Sequence, residues 1–227
     1  MSTVPRWSLM PRPRPGHLLV LGWLLTLLAG FGGRAETTNA ASLDTYLRWL
    51  KTQLPLDRPE AGYVGSKQCQ HCHPDEHASW HRSYHRTMTQ PATPEAVLGR
   101  FDGSTVDCNG LSYRVFQEDG KYWAEMPDPD VMMYVVQGGK KLAWDQIPRV
   151  RRPVVMTTGS HHYQTYWVTS ARYPGLLQSL PLVYLKEDQR WIPRDVAFMR
   201  GPDDTERLVT QWNHHCIRCH STGGNPG

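Results

Sequence analysis

STVDCNGLSYRVFQEDGKYWAE, residues 104–125, decides the fold. Asn109-Gly110 and Asp119-Gly120 are the dipeptides that tolerate positive φ at two successive positions, which the tightest hairpin turns demand. On either side of them stand β-branched and aromatic residues alternating with polar ones, the period of a half-buried strand. The stretch therefore predicts three antiparallel strands, Ser104–Cys108, Ser112–Gln117 and Lys121–Glu125. Toward the C-terminus a second β group follows at Val154–Thr158, Gln164–Thr169, Leu177–Leu185 and Trp191–Pro193, broken at Gly159, Pro174-Gly175 and Glu187-Asp188. Toward the N-terminus the period changes. Leu43, Tyr46, Leu47 and Leu50 share one face of a helix over Ser42–Leu54, with a proline-containing linker to residue 62. Pro74, Asp75 and Glu76 suit the first turn of another helix, expected to run through His85 to about Met88 until Pro91 stops it. A short helix is expected near Thr205–Asn213. The expected class is α+β, an antiparallel β module over residues 100–195 flanked by short helical segments.

Composition supports a folded core: 39% of the 227 residues are hydrophobic, 10% aromatic and 20% charged, which excludes a disordered or collagen-like chain. The formal charge of +4 comes from four arginines, Arg6, Arg12, Arg14 and Arg34, in an acid-free N-terminal stretch. From residue 36 onward 21 basic residues face 21 acidic ones. A neutral body lacks the basic face of a nucleic-acid binder, so no nucleic-acid partner is expected.

Residues 1–35 read as a signal peptide. A positive, proline-rich start precedes the apolar run Leu18–Phe31, and Gly33-Arg34-Ala35 supplies small residues for cleavage. Fourteen apolar residues suit a secretory core rather than a spanning helix, which needs about 20. The expectation is an exported, periplasmic chain, touching a membrane only if the segment stays uncleaved as an anchor.

Four of the five cysteines form two copies of C-x-x-C-H: Cys69-Gln-His-Cys72-His73 and Cys216-Ile-Arg-Cys219-His220. This is the attachment signature of c-type haem. Two thiols add to the porphyrin vinyl groups, and the next histidine is thereby set under the iron. Random shuffling would give about 0.005 matches per chain, so two are not an accident of composition. A zinc centre made from the two pairs would not require a histidine after each. Two covalent haem c groups are expected, with Cys69, Cys72, Cys216 and Cys219 as attachment points and His73 and His220 as proximal iron ligands. Cys108 is read as a lone thiol without function, an intermolecular disulfide being the alternative.

Tyr63-Val64-Gly65-Ser66-Lys67-Gln68-Cys69-Gln70-His71-Cys72-His73-Pro74, followed by Trp80, Ser83 and His85, resembles the opening of the multihaem cytochrome c-552/c-554-type domain. Residues 158–164, 180–184 and 189–194 resemble the middle region of exported multihaem cytochromes that carry this domain, and residues 216–224 resemble their next haem site. The resemblance covers roughly 60–227, and residues 63–227 are read as one multihaem cytochrome c domain, with haem site 1 at 69–73 and haem site 2 at 216–220. It implies electron transfer between haems ligated mostly by two histidines. In some relatives it also implies catalysis on small nitrogen compounds at a haem with an open position. Such proteins usually continue to further haem sites, whereas this chain ends seven residues after His220. The expectation is a truncated chain that works with further haem-bearing segments or subunits.

The resemblance makes His85, in its W-x-x-S-x-H position, a candidate distal haem ligand. On a continuous helix His85 would stand about 18 Å of rise from His73, while two axial nitrogens on one iron lie about 4 Å apart. His85 would then serve the haem of the Cys216–Cys219 motif or one on a partner chain. His162, with its neighbour His161 after a Gly-Ser turn, is a weaker candidate. His77 and His81 are read as polar helix surface, His71 as exposed, and His214 or His215 as able to reach a neighbouring iron. Trp80, Trp123, Trp144, Trp167, Trp191 and Trp212 are expected against porphyrin edges and the β core. The favoured function is electron transfer with redox partner proteins. The alternative is a haem oxidoreductase acting on a small inorganic nitrogen or similar substrate, with His161 and His162 as its acid–base groups. No catalytic residue is assigned.

Overall fold

Both Gly-containing dipeptides of residues 104–125 turn where expected: Asn109 and Gly110 have φ of 54° and 77°, Asp119 and Gly120 of 50° and 70°. In this computed structural model the described residues are 40–55, 62, 64–138, 142–199, 201 and 209–221. They belong to one unit, Thr38–Gly227. The expected signal segment 1–35, most of the linker and residues 205–208 of the expected last helix lie outside them.

In chain order the elements are α1 (Ala40–Gln53), α2 (Lys67–Gln70), α3 (Pro74–His81), β1 (Thr89–Pro91), β2 (Asp102–Cys108), β3 (Leu111–Glu118), β4 (Lys121–Pro127) and α4 (Pro129–Val136). After a 3₁₀ turn at Trp144–Gln146 come β5 (Arg149–Thr158), β6 (Tyr163–Thr169), β7 (Leu177–Leu185), β8 (Arg190–Pro193) and α5 (Arg194–Ala197). A π-helical turn over Trp212–Cys216 leads into α6 (Ile217–His220).

The two β groups are one antiparallel sheet, ordered β2-β3-β4-β5-β6-β7-β8, with β1 also on β5. Its end strands β2 and β8 approach each other, so the sheet is nearly closed. The ten-residue β5 is the corner. Residues 149–153 pair with β4, while residues 154–158 pair with β6 on one side and, through 156–158, with β1 on the other. A register shift between Val154 and Met156 makes the bend, the usual device by which a strand changes sheets. It also sends Val154 inward and both Val155 and Met156 outward.

Two cores result. The inner one is lined by Tyr113, Met126, Tyr166, Leu180, Leu182 and Tyr184, all fully buried. Burial holds the phenols of Tyr113 and Tyr166 well above the ordinary tyrosine range. The outer core lies on the opposite face of β5, β6 and β7, where Val155, Met156, Trp167 and Leu177 receive Tyr46 and Leu50 from α1 and Trp212 and Ile217 from the C-terminal segment. Strand β7 is covered on both faces, and from residue 180 to 185 it accordingly reads as an unbroken apolar run. Helix α1 thus presents the face expected of it, and the Tyr46 hydroxyl donates to the Ala92 carbonyl at 2.6 Å.

Three expectations need correction. The helix from Pro74 stops at His81, not Met88. Ser83 Oγ donates to the Trp80 carbonyl at 2.6 Å and Arg86 Nε to the His81 carbonyl at 2.8 Å, so side chains take acceptors that the next turn would have used. Residues 89–91 are meanwhile claimed by the β5 ladder. Second, residues 209–211 are not helical: Gln211 bridges Gln178, and Ser179 N–H donates to the Thr210 carbonyl at 2.8 Å. Third, α4 was not anticipated, although Asp128 accepts from Asp130 N–H at 3.0 Å and Pro129 opens the helix, a start signal present in the sequence. Among the described residues no helix is long and apolar enough to cross a membrane.

Candidate cofactor-attachment sites

The first C-x-x-C-H lies on a single helical turn. His73 N–H donates to the Cys69 carbonyl at 2.9 Å, and His77 N–H to the His73 carbonyl at 3.0 Å. Cys69, Cys72 and His73 therefore stand at i, i+3 and i+4, the spacing that puts side chains on one helix face. His73 itself, with φ −128° and ψ 60°, is the N-cap of α3 and marks a kink. All three side chains are exposed, and neither α2 nor α3 holds a buried residue. Trp80 and Tyr84 are 43% and 48% exposed, so the expected packing of Trp80 against the β core is not seen. His77 departs from the surface reading. It is only half-exposed, its Nε2 is shielded without a hydrogen-bond partner, and its ring lies 5.4 Å from that of His81.

The second C-x-x-C-H is built into the scaffold. Asn213 Oδ1 accepts the Leu177 N–H at 3.0 Å while its Nδ2 donates to the Gly175 carbonyl at 3.2 Å, which fixes the segment to the start of β7. The π-helical turn then sets Trp212, Cys216 and Ile217 toward the outer core. Cys216 is half-buried and its thiol is pushed up by that burial, whereas Cys219 and His220 face outward. The Trp212 ring is 6.1 Å from that of His220 and 5.4 Å from that of Trp167. His214 and His215 are exposed, and the His215 ring meets the Gln211 carbonyl at 3.1 Å.

The chain brings His161 and His162 beside the segment that carries His85. Gly159, at φ 98°, turns β5 into β6; its N–H donates to the Met88 carbonyl at 2.6 Å, and Ser160 Oγ meets Thr87 Oγ1 at 2.9 Å. The rings of Tyr84, His161 and His162 stack, with centroids 4.1 and 3.8 Å apart. His85 is exposed on the turn after α3, so a straight-helix measure of its separation from His73 no longer applies, and the assignment of its iron loses that premise.

The donor set suits haem c. Each site offers two thiols outside any disulfide and an adjacent imidazole. Among the described residues no three His, Cys, Asp or Glu side chains gather in a group able to hold a bare ion, so the two cysteine pairs do not converge on one metal centre. Cys108 is only 1% exposed, with Sγ against the Pro181 carbonyl and the Asn109 amide, and that depth removes it from any intermolecular disulfide. Alkylation of the apo chain is expected to modify Cys69, Cys72 and Cys219 early, Cys216 later and Cys108 last, because reactivity follows exposure and thiolate content. Peptide mass mapping over time reads the order. Early labelling of Cys216 would contradict its place against the outer core.

Compared with protein-family models, curated proteins and solved structures, the chain matches none.

Proposed function

We propose that the chain is an exported di- or multihaem c-type cytochrome that transfers electrons through two covalently attached haems. The observation that carries this reading is the paired donor geometry. Two C-x-x-C-H turns, one exposed and one seated on the sheet, hang on a single β scaffold. Cys69 and Cys72 would hold one haem and Cys216 and Cys219 the other, with His73 and His220 as the proximal imidazoles. Bound haem supplies a one-electron couple whose potential depends on its axial ligands and burial.

The chain's own residues act by placement. The π-helical turn, with Asn213 and Trp212, fixes the second site on the outer core, while the kink at His73 turns the first site into α3. His85, exposed beside the His161–His162 turn, stands as the distal candidate for the first haem or a neighbouring one. Redox proteins, or further haem-bearing segments or subunits, are the partners this reading needs.

The test is cofactor load. Protein made in a host with a haem-attachment system should retain two haems per chain through denaturation, read by peroxidase staining of a denaturing gel and by intact mass. A mature exported chain with four unmodified cysteine thiols at the two motifs would overturn the reading.

A further inference from the structure

Over the Phe116 ring, on the outward face of β2–β5, lies a cleft of about 520 Å³, and we propose that it binds a small organic monocarboxylate through Arg114. The site is independent of both C-x-x-C-H motifs.

Strand register builds the cleft. Phe116 on β3 stands opposite Asp102 on β2 and Trp123 on β4, while Arg114, Glu125 and Arg151 form a row across β3, β4 and β5. Strand β2 shifts register at this place, between Asp102 and Thr105, with Gly103 at φ 94°. A bulge bends the strand that carries it, and the cleft opens beside it. Two guanidiniums lie on the Phe116 ring, Arg114 at 4.9 Å and Arg151 at 4.7 Å from its centroid. Stacking holds a guanidinium by its face and leaves the N–H groups along its edge able to donate.

The charges decide which edge is available. Each carboxylate lining the cleft has a guanidinium of its own: Asp102 has Arg100 at 3.5 Å, Glu118 has Arg151 at 2.5 Å and Glu125 has Arg149 at 3.4 Å. Asp102 also accepts from the Ser104 N–H at 3.1 Å. Arg114 is directly opposite Glu125 in the register, yet it makes no ion pair among the described residues. One positive charge is therefore left over, and it sits on exposed, ring-held Arg114.

That balance selects the ligand. A planar carboxylate matches the guanidinium fork with two parallel hydrogen bonds, and its single charge answers the single surplus. Sulfate or phosphate would bring a second negative charge among three carboxylates. The cleft is far larger than a carboxylate group and falls in the range of small-molecule sites, about 300–1,000 Å³. It therefore has room for an organic body, with Phe101 and Phe116 in its lining to receive it.

The probe is benzoate, added to the full ¹⁵N-labelled chain, with the arginine Nε–H and backbone amide resonances as the readout. Benzoate is expected to shift the Arg114 resonance saturably, with a dissociation constant near or below about 1 mM. Benzyl alcohol, of similar shape without the charge, is expected to leave it unmoved, and sulfate to bind more weakly. Arg114→Gln is expected to weaken benzoate binding about tenfold, and Arg114→Lys nearly as much, because a point charge lacks the fork. Glu118→Gln releases Arg151 and is expected to tighten benzoate and admit sulfate, a gain that damage to the fold could not produce. Benzoate that moves no resonance of the cleft at about 20 mM, or that binds Arg114→Gln as tightly as the parent, would overturn the site. Sulfate binding the parent as tightly as benzoate, or an unchanged affinity in Glu118→Gln, would overturn the monocarboxylate assignment.

Discussion

Changing Cys69 and Cys72 together to alanine is expected to remove one haem and leave the unfolding midpoint of the β scaffold nearly unmoved, whereas changing Cys216 and Cys219 together removes the other haem and lowers it. The asymmetry follows from burial. Helices α2 and α3 contribute no buried residue, so the sheet and both cores do not depend on what the first motif holds. The second motif shares a core with α1: Trp212 and Ile217 are 3% and 5% exposed, and Cys216 packs against them. A haem there would cover apolar surface continuous with that core, and burying each large apolar side chain is worth about 1.5–3 kcal/mol. A loss of about 2 kcal/mol corresponds to a fall of about 4–8 °C in a chain of this size. Haem-stained gels with intact mass count the groups, and circular dichroism melting gives the midpoints. Equal falls for the two double variants would contradict the asymmetry.

Gly159→Ala is expected to cost about 3–4 kcal/mol, among the largest effects of a single added methyl group. The residue sits at φ 98°, where side chains are strained, and a Cβ would run into the Tyr163 carbonyl oxygen of the same turn. That backbone cannot yield cheaply, because Gln164 Nε2 holds the Gly159 carbonyl at 3.0 Å and donates to the Ala96 carbonyl at 2.8 Å. Urea unfolding should show a lower midpoint with an unchanged slope. The Gly159 N–H is also the tether of Met88, so limited proteolysis should cut the 82–88 turn faster. A variant as stable as the parent would show that the turn does not take this form in solution.

The strands were legible because their turns carry a chemical marker. Leu177–Leu185 matches β7 end to end, and the three strands of 104–125 differ from β2, β3 and β4 by at most two residues at either end. What sequence reading separated into two β groups is joined by residues 149–153, where Arg149, Arg151 and Arg152 disguise a strand. Arg149 and Arg151 reach Glu125 and Glu118 on one face of the strand while Arg152, on the other, reaches Asp128 and Asp130, so charge on both faces breaks the alternation and reads as polar loop. The C-x-x-C-H positions needed no structure to be found. His77 could not be told from His81 by spacing, because both stand on the same helical stripe and only the structure shows the His77 Nε2 shielded. The Trp167–Trp212 contact joins strand and C-terminal segment at a separation no local pattern reports.

The outer core has a consequence for the order in which the chain acquires its shape. Tyr46 and Leu50 meet Trp212 and Ile217 there, residues from opposite ends of the described chain. Closing so long a loop costs conformational entropy that is repaid only when the contacts form. For a chain that emerges N-terminus first, α1 has no complete surface to dock on until residue 217 has also emerged. The inner core can gather from neighbouring hairpins while the outer one waits. Until then Cys216 lacks the cover that later half-buries it, so its thiol is most open to chemistry before the last core shuts.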